Sequence, residues 1–210
     1  MIADDDARVR RDFRTLLELE GDIDVVAVVA DGAQAVEVGG RLRPDVVVMD
    51  VRMPFVNGID ATYRLRSVLE AGCRVLVVTT FDLDDYVLGA VRAGASGFLL
   101  KDRAPEQLAD AVRNVAVGEA IVDPRATARL LAELVAPTPV STGHPGPLTD
   151  REVEVVRLLA KGLSNEAIAA EAAISRSTVK SHVSSILAKL ELTSRIQIVV
   201  WAFEHGWAGH

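Results

Sequence analysis

Cysteine and long apolar runs are scarce in this sequence. The single cysteine, Cys73, rules out an internal disulfide framework and a cysteine zinc cluster. A chain with no cysteine pair to oxidise suits a reducing cytosol. No apolar run approaches the ~20 residues that a membrane-spanning helix needs, and the acidic residues that begin at Asp4 argue against a signal peptide. The sequence therefore predicts a cytoplasmic protein with no membrane partner.

Aromatic residues are also few, at 4 % of the chain, although half of all residues are apolar. This composition favours an α/β protein built from Val, Leu and Ala over an aromatic-rich all-β protein. The net charge of −7 argues against a globally basic nucleic-acid coat protein. The charge is uneven, because residues 148–210 are neutral and residues 1–147 carry the whole acidic excess. The two parts are therefore interpreted separately.

In the first 120 residues, short β-branched runs alternate with amphipathic stretches. The runs are nearly continuous in Val, Leu and Ile, which is typical of parallel strands buried on both faces; they predict strands at 23–30, 46–50, 74–79 and 97–101. The stretches between them predict helices at 7–20, 32–43, 58–71, 84–93 and 105–118. The alternation indicates a doubly wound, five-stranded parallel sheet.

The first strand is unusually short, because only Met1, Ile2 and Ala3 precede the acidic residues. A central strand of that length would be poorly paired. Two interpretations stay open: further residues precede Met1 in the full protein, or the strand is simply short.

A proline-rich segment separates the two parts of the chain. Residues 137–147 contain four prolines and two glycines, which exclude a helix or an inner strand. We therefore expect a first domain at 1–120, a linker at 121–147 that includes a helix at 124–135, and a second domain at 148–210. The second domain has helical periodicity throughout, which predicts helices at 150–161, 165–172, 177–190 and 194–205.

Polar side chains follow the predicted strands of the first domain. Since ligands bind beyond the carboxyl ends of such strands, we expect these side chains to meet at one edge of the sheet; they are Asp4, Asp5, Asp6, Asp50, Thr79, Thr80 and Lys101. Clustered carboxylates are costly unless a cation neutralises them, and carboxylate oxygens suit Mg²⁺. A carboxylate can also attack a phosphoryl group, whose charge lysine and threonine can stabilise. The residues therefore predict a Mg²⁺-dependent aspartyl-phosphate site.

Four motifs of the first domain closely resemble the flavodoxin/CheY-like receiver domain. They are Ile-Ala-Asp-Asp, Met-Asp-Val-Arg-Met-Pro-x-x-x-Gly at 49–58, Val-Thr-Thr-Phe-Asp, and Ala-Gly-Ala-Ser-Gly-Phe-Leu-Leu-Lys-Asp. The resemblance implies that Asp50 is the phosphoacceptor and that Asp4, Asp5, Asp50 and the backbone carbonyl of Arg52 hold Mg²⁺. It also implies a switch hydroxyl, a switch aromatic and a phosphoryl-binding lysine at Thr79, Phe98 and Lys101.

Simpler interpretations of these residues stay open. Asp4 or Asp5 could cap the following helix, and Thr80 could replace Thr79 as the switch residue. Phe98 could be an ordinary core residue, and Lys101 could pair with Asp102 or solvent. No role is assigned to Asp6.

The second domain opens with a capping box of Thr149 and Glu152, and Gly162 is well placed to end the first helix. The helices predicted at 165–172 and 177–190 are joined by a tight turn, which fits a helix-turn-helix. Apolar residues form one stripe on the longer helix, so that Lys180, Ser181 and Ser184 face away from it. The basic residues on or beside this helix are Arg176, Lys180, Lys189 and Arg195.

Residues 148–206 closely resemble the LuxR-type helix-turn-helix of NarL/FixJ-type response regulators. The matching motifs are Leu-Thr-x-Arg-Glu, Gly-Leu-Ser-Asn-x-x-Ile-Ala, Ser-x-x-Thr-Val-Lys-x-His-Val and Leu-x-Lys-Leu. The resemblance implies that Lys180, Ser181 and Ser184 face base edges of double-stranded DNA. It implies that Thr178 and Lys189 contact phosphates, and Arg176 is added to the DNA-binding set for its charge and position.

Together the two resemblances predict a two-component response regulator rather than an enzyme. A sensor histidine kinase would phosphorylate Asp50, and the phosphorylated chain would form a homodimer and bind DNA. A phosphatase or transferase would need a second aspartate where Arg52 stands, and no nucleotide-binding glycine motif is present. The alternative that stays open is a phosphorylation-independent DNA-binding regulator with a vestigial receiver.

Overall fold

The computed structural model describes residues 1–69, 72–80, 86–102, 104–119 and 147–207. The described residues fall into two compact units, with residues 1–119 in the first and residues 147–207 in the second. The helix predicted at 124–135 and nearly all of the predicted linker lie outside the described residues. The end of the helix predicted at 58–71 and the start of the one predicted at 84–93 lie outside them as well.

The first unit contains the predicted five-stranded parallel sheet. Its strands lie in the order β2-β1-β3-β4-β5, and their bounds are β1 Ile2–Ala3, β2 Val28–Val29, β3 Val46–Met49, β4 Arg74–Thr79 and β5 Gly97–Leu100. Every pairing is parallel. The chain therefore crosses the sheet through helices between strands, as the alternating pattern predicts.

Within the described residues, five helices accompany the sheet: α1 Ala7–Glu18, α2 Gly32–Leu42, α3 Gly58–Leu69, α4 Val87–Ala93 and α5 Ala104–Ala116. Buried side chains of α1 and α5, among them Phe13, Leu17 and Leu108, form one core with alternate residues of the strands, such as Val48 and Leu76. Because side chains alternate along a strand, the intervening residues line the opposite face of the sheet.

The second strand is shorter than its sequence predicts. The largely apolar segment at 23–30 predicts a full strand, but only Val28 and Val29 form ladder pairs, with Ile2 and Ala3 of β1. Strand length depends on the partner as well as on the strand's own residues, and β1 offers only two paired positions. The prediction for this strand is therefore wrong in extent, although its existence and place are confirmed.

The second unit consists of four described helices: α6 Asp150–Ala160, α7 Asn165–Glu171, α8 Arg176–Lys189 and α9 Arg195–Glu204. The capping box of Thr149 and Glu152 is present at the start of α6, and Gly162 follows α6 with a φ of +77°, as a helix-ending glycine does. The core of this unit joins buried side chains of all four helices, such as Val156, Ile168 and Val183. Within the described residues, none of the helices is long and apolar enough to cross a membrane.

Candidate functional site

Three strands of the parallel sheet bring Asp4, Asp50 and Lys101 to the same edge. Asp4 follows β1, Asp50 follows β3 and Lys101 follows β5. Backbone hydrogen bonds continue the sheet at these positions, since the amide of Asp50 donates to the carbonyl of Ala3 at 2.8 Å and that of Lys101 donates to Thr79 at 2.8 Å. The sheet therefore fixes the backbone of each functional position.

The ammonium group of Lys101 bridges the two aspartates. Its Nζ lies 2.6 Å from Oδ2 of Asp4 and 3.0 Å from Oδ2 of Asp50. Asp4 and Asp50 are only 2 % and 5 % exposed. Their second oxygens accept hydrogen bonds from the backbone amides of Asp6, at 2.9 Å, and Val51, at 2.8 Å. Both carboxylates are thus held in fixed positions, and Lys101 does not pair with Asp102 as the simpler interpretation proposed.

One lysine does not balance the negative charge of this cluster. Burial raises the pKa of Asp50, and the charge of Asp4 raises it further, while Lys101 opposes the rise. Burial alone would lower the pKa of Lys101, but its hydrogen bonds and charge interactions with Asp4 and Asp50 outweigh burial and raise that pKa. Lys101 therefore stays protonated. A further cation would stabilise the ionised form of the Asp50 carboxylate.

A third carboxylate, that of Asp5, completes an acidic cluster. One carboxylate oxygen from each of Asp4, Asp5 and Asp50 lies within 4.8 Å of the other two. Asp5 is exposed, whereas the other two are buried. A set of oxygen donors with excess negative charge, open to solvent on one side, fits the chemistry of a hard divalent cation such as Mg²⁺, which keeps part of its water shell.

Asp6, to which the sequence assigned no role, caps the helix that follows the cluster. Its side chain accepts a hydrogen bond from the amide of Arg8 at 2.7 Å, and it is the N-cap residue of α1. The interpretation of Asp4 or Asp5 as the helix cap is therefore wrong. The carboxylates of Asp4 and Asp5 therefore remain part of the acidic cluster with Asp50.

Gly58 allows the loop after Asp50 to close tightly. Its amide donates to the carbonyl of Val51 at 2.9 Å. A Cβ atom at this position would lie 1.9 Å from the backbone oxygen of Asp50. The start of α3 thus packs directly on the backbone that carries Asp50, with no room for a side chain.

Thr79 and Phe98 lie on the same face of the sheet. Phe98 pairs in register with Val77, which is two residues before Thr79 on β4. Thr79 is buried at the end of its strand, and Phe98 is 2 % exposed. Thr80 is exposed and accepts a hydrogen bond from Nη2 of Arg52 at 2.6 Å. The hydroxyl of Thr80 is thus bound to Arg52, and the assignment of Thr79 as the switch hydroxyl stays a prediction.

In the second unit, α7 and α8 form the predicted helix-turn-helix. The turn between them contains Ala173 with a φ of +54°. Val179, Val183 and Ile186 anchor α8 in the core. α8 contains no acidic residue. Lys180, Ser181 and Ser184 of the predicted DNA-binding set are exposed on the side of α8 away from these anchors, and Arg176 is exposed at the start of the helix. The hydroxyl of Ser181 donates to the carbonyl of Ser177 at 3.1 Å, which leaves its oxygen as an acceptor.

Three other predicted DNA-binding or basic residues make contacts within the protein. Nζ of Lys189 lies 2.6 Å from Oε2 of the buried Glu152, the acid of the capping box. Oγ1 of Thr178 lies 2.7 Å from Oγ of Ser175, the N-cap of α8. Arg195 donates to the side chain of Asn165 and to the backbone carbonyl of Leu163, in the loop between α6 and α7. Phosphate contacts by Thr178 and Lys189 stay predictions, and for Lys189 such a contact would compete with an existing ion pair.

Comparisons with known proteins match residues 1–113 to the response regulator receiver domain and residues 146–202 to the luxR family of bacterial regulatory proteins. The transcriptional regulatory protein YxjL of Bacillus subtilis is 39 % identical over 207 residues, which cover 98 % of this chain and 94 % of YxjL. The chain is a two-component response regulator. DesR, another transcriptional regulatory protein of Bacillus subtilis, is 37 % identical to this response regulator over 98 % of the chain and 96 % of DesR.

Solved structures agree with this assignment. The crystal structure of ChrA, the response regulator of a heme-sensing two-component system, is 35 % identical to this response regulator and covers 99 % of it, with a TM-score of 0.53 over 96 % of ChrA. The predicted receiver fold and the LuxR-type DNA-binding domain are therefore confirmed.

Two contacts around these surfaces were not predicted from the sequence. Arg10 of α1 reaches the backbone of the acidic loop, and Glu152 pairs with Lys189. Neither contact follows from a motif or from helical periodicity.

Proposed function

We propose that Asp50 accepts a phosphoryl group from a sensor histidine kinase, or from a small acyl phosphate, and that this event controls DNA binding by the second domain. The observation that carries the proposal is the Lys101 ammonium, which joins Asp50 to Asp4 within a three-carboxylate cluster. A carboxylate oxygen of Asp50 would form the new bond to phosphorus, and the bond from phosphorus to the donor's leaving group would break. Lys101 would neutralise charge on the transferred group.

The cation that the cluster favours is Mg²⁺. Asp4, Asp5 and Asp50 would hold it, together with the backbone carbonyl of Arg52. When bound, the ion would offset the repulsion between the carboxylates and the incoming phosphoryl oxygens. The protein's own part is to hold Asp4 and Asp50 by backbone amides and to keep Lys101 charged between them.

The response to phosphorylation would pass through Thr79 and Phe98, which share one face of the sheet. We infer that Thr79 donates its hydroxyl to the phosphoryl group and that Phe98 repacks as it does so, a local change in charge that biases a two-state element. Phosphorylated chains would form a homodimer and read half-sites about ten base pairs apart. Arg52 stands where an aspartyl-phosphate phosphatase would need its second aspartate, which supports a regulator rather than an enzyme.

Double-stranded DNA is the proposed ligand of α8, and we infer that the protein acts in the cytoplasm. Lys180, Ser181 and Ser184 would face base edges, because they project from the side of α8 opposite its buried anchors. Arg176, Thr178 and Lys189 would contact phosphates and contribute to the salt dependence of binding.

Intact-mass measurement after incubation with acetyl phosphate and Mg²⁺ tests the phosphorylation site. The wild type should gain one phosphoryl group and Asp50→Asn none. Asp45→Asn is a matched control, because Asp45 is an exposed aspartate just before the other end of β3; it should be phosphorylated like the wild type. An adduct on Asp50→Asn, or none on the wild type, would contradict the assignment.

Salt-dependent binding to mixed-sequence duplex DNA tests the recognition helix. Lys180→Met should weaken binding and make the salt dependence shallower, since one cation fewer reaches the DNA. Lys161→Met is the control, because Lys161 is an exposed lysine at the end of α6, outside the two helices of the motif. Equal losses in the two variants would argue against α8 as the DNA-binding surface.

A further inference from the structure

Arg10 holds the loop that carries the acidic cluster, although it belongs to none of the sites assigned above. It lies in α1, and its Nη1 donates to the backbone carbonyl of Asp4 at 2.6 Å and to that of Asp5 at 2.9 Å. The side chain is half-buried. One guanidinium therefore joins the peptide groups of two of the three cluster residues.

The carboxylate of Asp5 depends on this backbone contact more than its neighbours do. Lys101 and the Asp6 amide hold the side chain of Asp4, and the Val51 amide holds that of Asp50. Over the described ranges, no hydrogen bond or ion pair reaches the carboxylate of Asp5, which is exposed. Its place near the other two carboxylates is thus set by its backbone, and Arg10 fixes that backbone.

We propose that Arg10 is a positioning residue for the divalent cation: by holding the carbonyls of Asp4 and Asp5, it keeps the Asp5 carboxylate in place for Mg²⁺. This inference rests on the proposed phosphorylation site. Groups that orient metal ligands contribute to affinity because the ligands then lose less freedom when the ion binds.

The direction in which the Mg²⁺ affinity changes when Arg10 is replaced distinguishes a positioning role from a purely electrostatic one. Arg10 is a cation near a cation site, so if only its charge mattered, removing it would tighten Mg²⁺ binding. If Arg10 positions Asp5, removing it weakens Mg²⁺ binding despite the loss of repulsion. If Arg10 only supports the fold, its removal lowers the melting temperature and leaves the Mg²⁺ affinity unchanged.

The test is a titration of the full chain with MgCl₂, followed by the NMR shifts of the Asp6 and Val51 amides, which donate to the carboxylates of Asp4 and Asp50. Arg10→Met keeps the apolar stem and removes the guanidinium, and we expect a Kd about tenfold higher than that of the wild type. Arg10→Lys keeps the charge and can reach one carbonyl, and it should fall between the two. Arg14→Met is the control, because Arg14 lies one turn further along α1 and pairs only with Glu18 among the contacts of the described residues.

A wild type that binds no Mg²⁺ would overturn the proposed function. If the wild type binds and Arg10→Met binds equally well or more tightly, the positioning role of Arg10 is wrong while the proposed function stands. Circular dichroism checks that each variant is folded. If Arg10→Met does not fold, Arg10→Lys decides: a higher Kd supports the role, and an unchanged Kd overturns it.

Discussion

Replacement of Gly58 by alanine tests how tightly the start of α3 packs on the strand that carries Asp50. A Cβ atom at Gly58 would lie 1.9 Å from the carbonyl oxygen of Asp50 and 3.0 Å from Cα of Val51. Both neighbours are backbone atoms, so no side-chain rotation relieves the overlap. Either α3 or the peptide after Asp50 must move.

The size of the effect follows from that distance. Ordinary contact begins at 3.4 Å, so the overlap with the carbonyl oxygen is about 1.5 Å. Overpacking of this kind costs about 1–3 kcal/mol, and the rigid neighbours place Gly58→Ala at the upper end. The higher helix propensity of alanine offsets at most about 1 kcal/mol of this overpacking cost. The net loss in the free energy of unfolding should be about 2 kcal/mol.

Gly89 provides a matched control with the opposite sign. It lies inside α4, and a Cβ atom there would lie 3.5 Å from Cδ1 of Ile59, which is ordinary contact. Gly89→Ala should therefore stabilise the first unit by up to about 1 kcal/mol through helix propensity.

Urea denaturation followed by two probes measures both variants. Far-UV circular dichroism follows the whole chain, while tryptophan fluorescence follows the second unit alone, because Trp201 and Trp207 are the only tryptophans. Gly58→Ala should lower the urea midpoint of the first unit, whose unfolding changes the circular dichroism but not the tryptophan fluorescence. The same variant should be phosphorylated more slowly by acetyl phosphate. A midpoint equal to or above that of the wild type would refute the packing argument.

Two further predictions concern other parts of the chain. Burial alone would raise the pKa of Glu152, but hydrogen bonds from Lys189 and Thr149 outweigh it and lower that pKa from the ordinary 4.5. The resulting stability is present above pH 4.5 and is lost as the pH falls through the lowered value. Glu152→Gln should therefore destabilise the second unit at neutral pH and reduce its acid sensitivity; an unchanged loss of stability with acid, measured by tryptophan fluorescence in urea, would contradict this. At the first strand, the α-amino group of Met1 donates to the carbonyl of Val46 at 2.9 Å beside a cavity of about 360 Å³. An added Val-Val-Val segment before Met1 should fill part of this cavity and raise stability by about 2 kcal/mol, whereas Gly-Ser-Gly should not; equal melting temperatures would contradict it.

The sheet, and the position of Asp4, Asp50 and Lys101 at one of its edges, could be predicted because each strand and the residue that follows it form a local sequence pattern. Val46–Met49 is continuously apolar and ends at Asp50, so sequence alone places that aspartate at a strand end. Parallel topology then brings Asp4 and Lys101 to the same edge. The extent of β2 could not be predicted in this way, because a strand needs a partner and β1 pairs at only two positions.

Contacts between distant parts of the chain were also beyond the sequence. Lys189 lies on the helix predicted to bind DNA, and its charge alone favoured a phosphate contact. Its partner Glu152 is 37 residues away and is buried by the packing of the whole unit. Arg10 donates hydrogen bonds to the backbone carbonyls of Asp4 and Asp5. The pattern of side chains in a sequence does not show which backbone carbonyl will accept such a bond. In both cases tertiary packing decides which partner a cation takes.

Whether phosphorylation of Asp50 controls DNA binding is tested most directly by selecting bound DNA from a random-sequence duplex library, with and without phosphorylation of the protein. Wild type treated with acetyl phosphate and Mg²⁺ should enrich a defined sequence motif far more strongly than untreated wild type or treated Asp50→Asn. Equal enrichment of the same motif by all three samples would contradict phosphorylation control and would favour a DNA-binding regulator with a vestigial receiver.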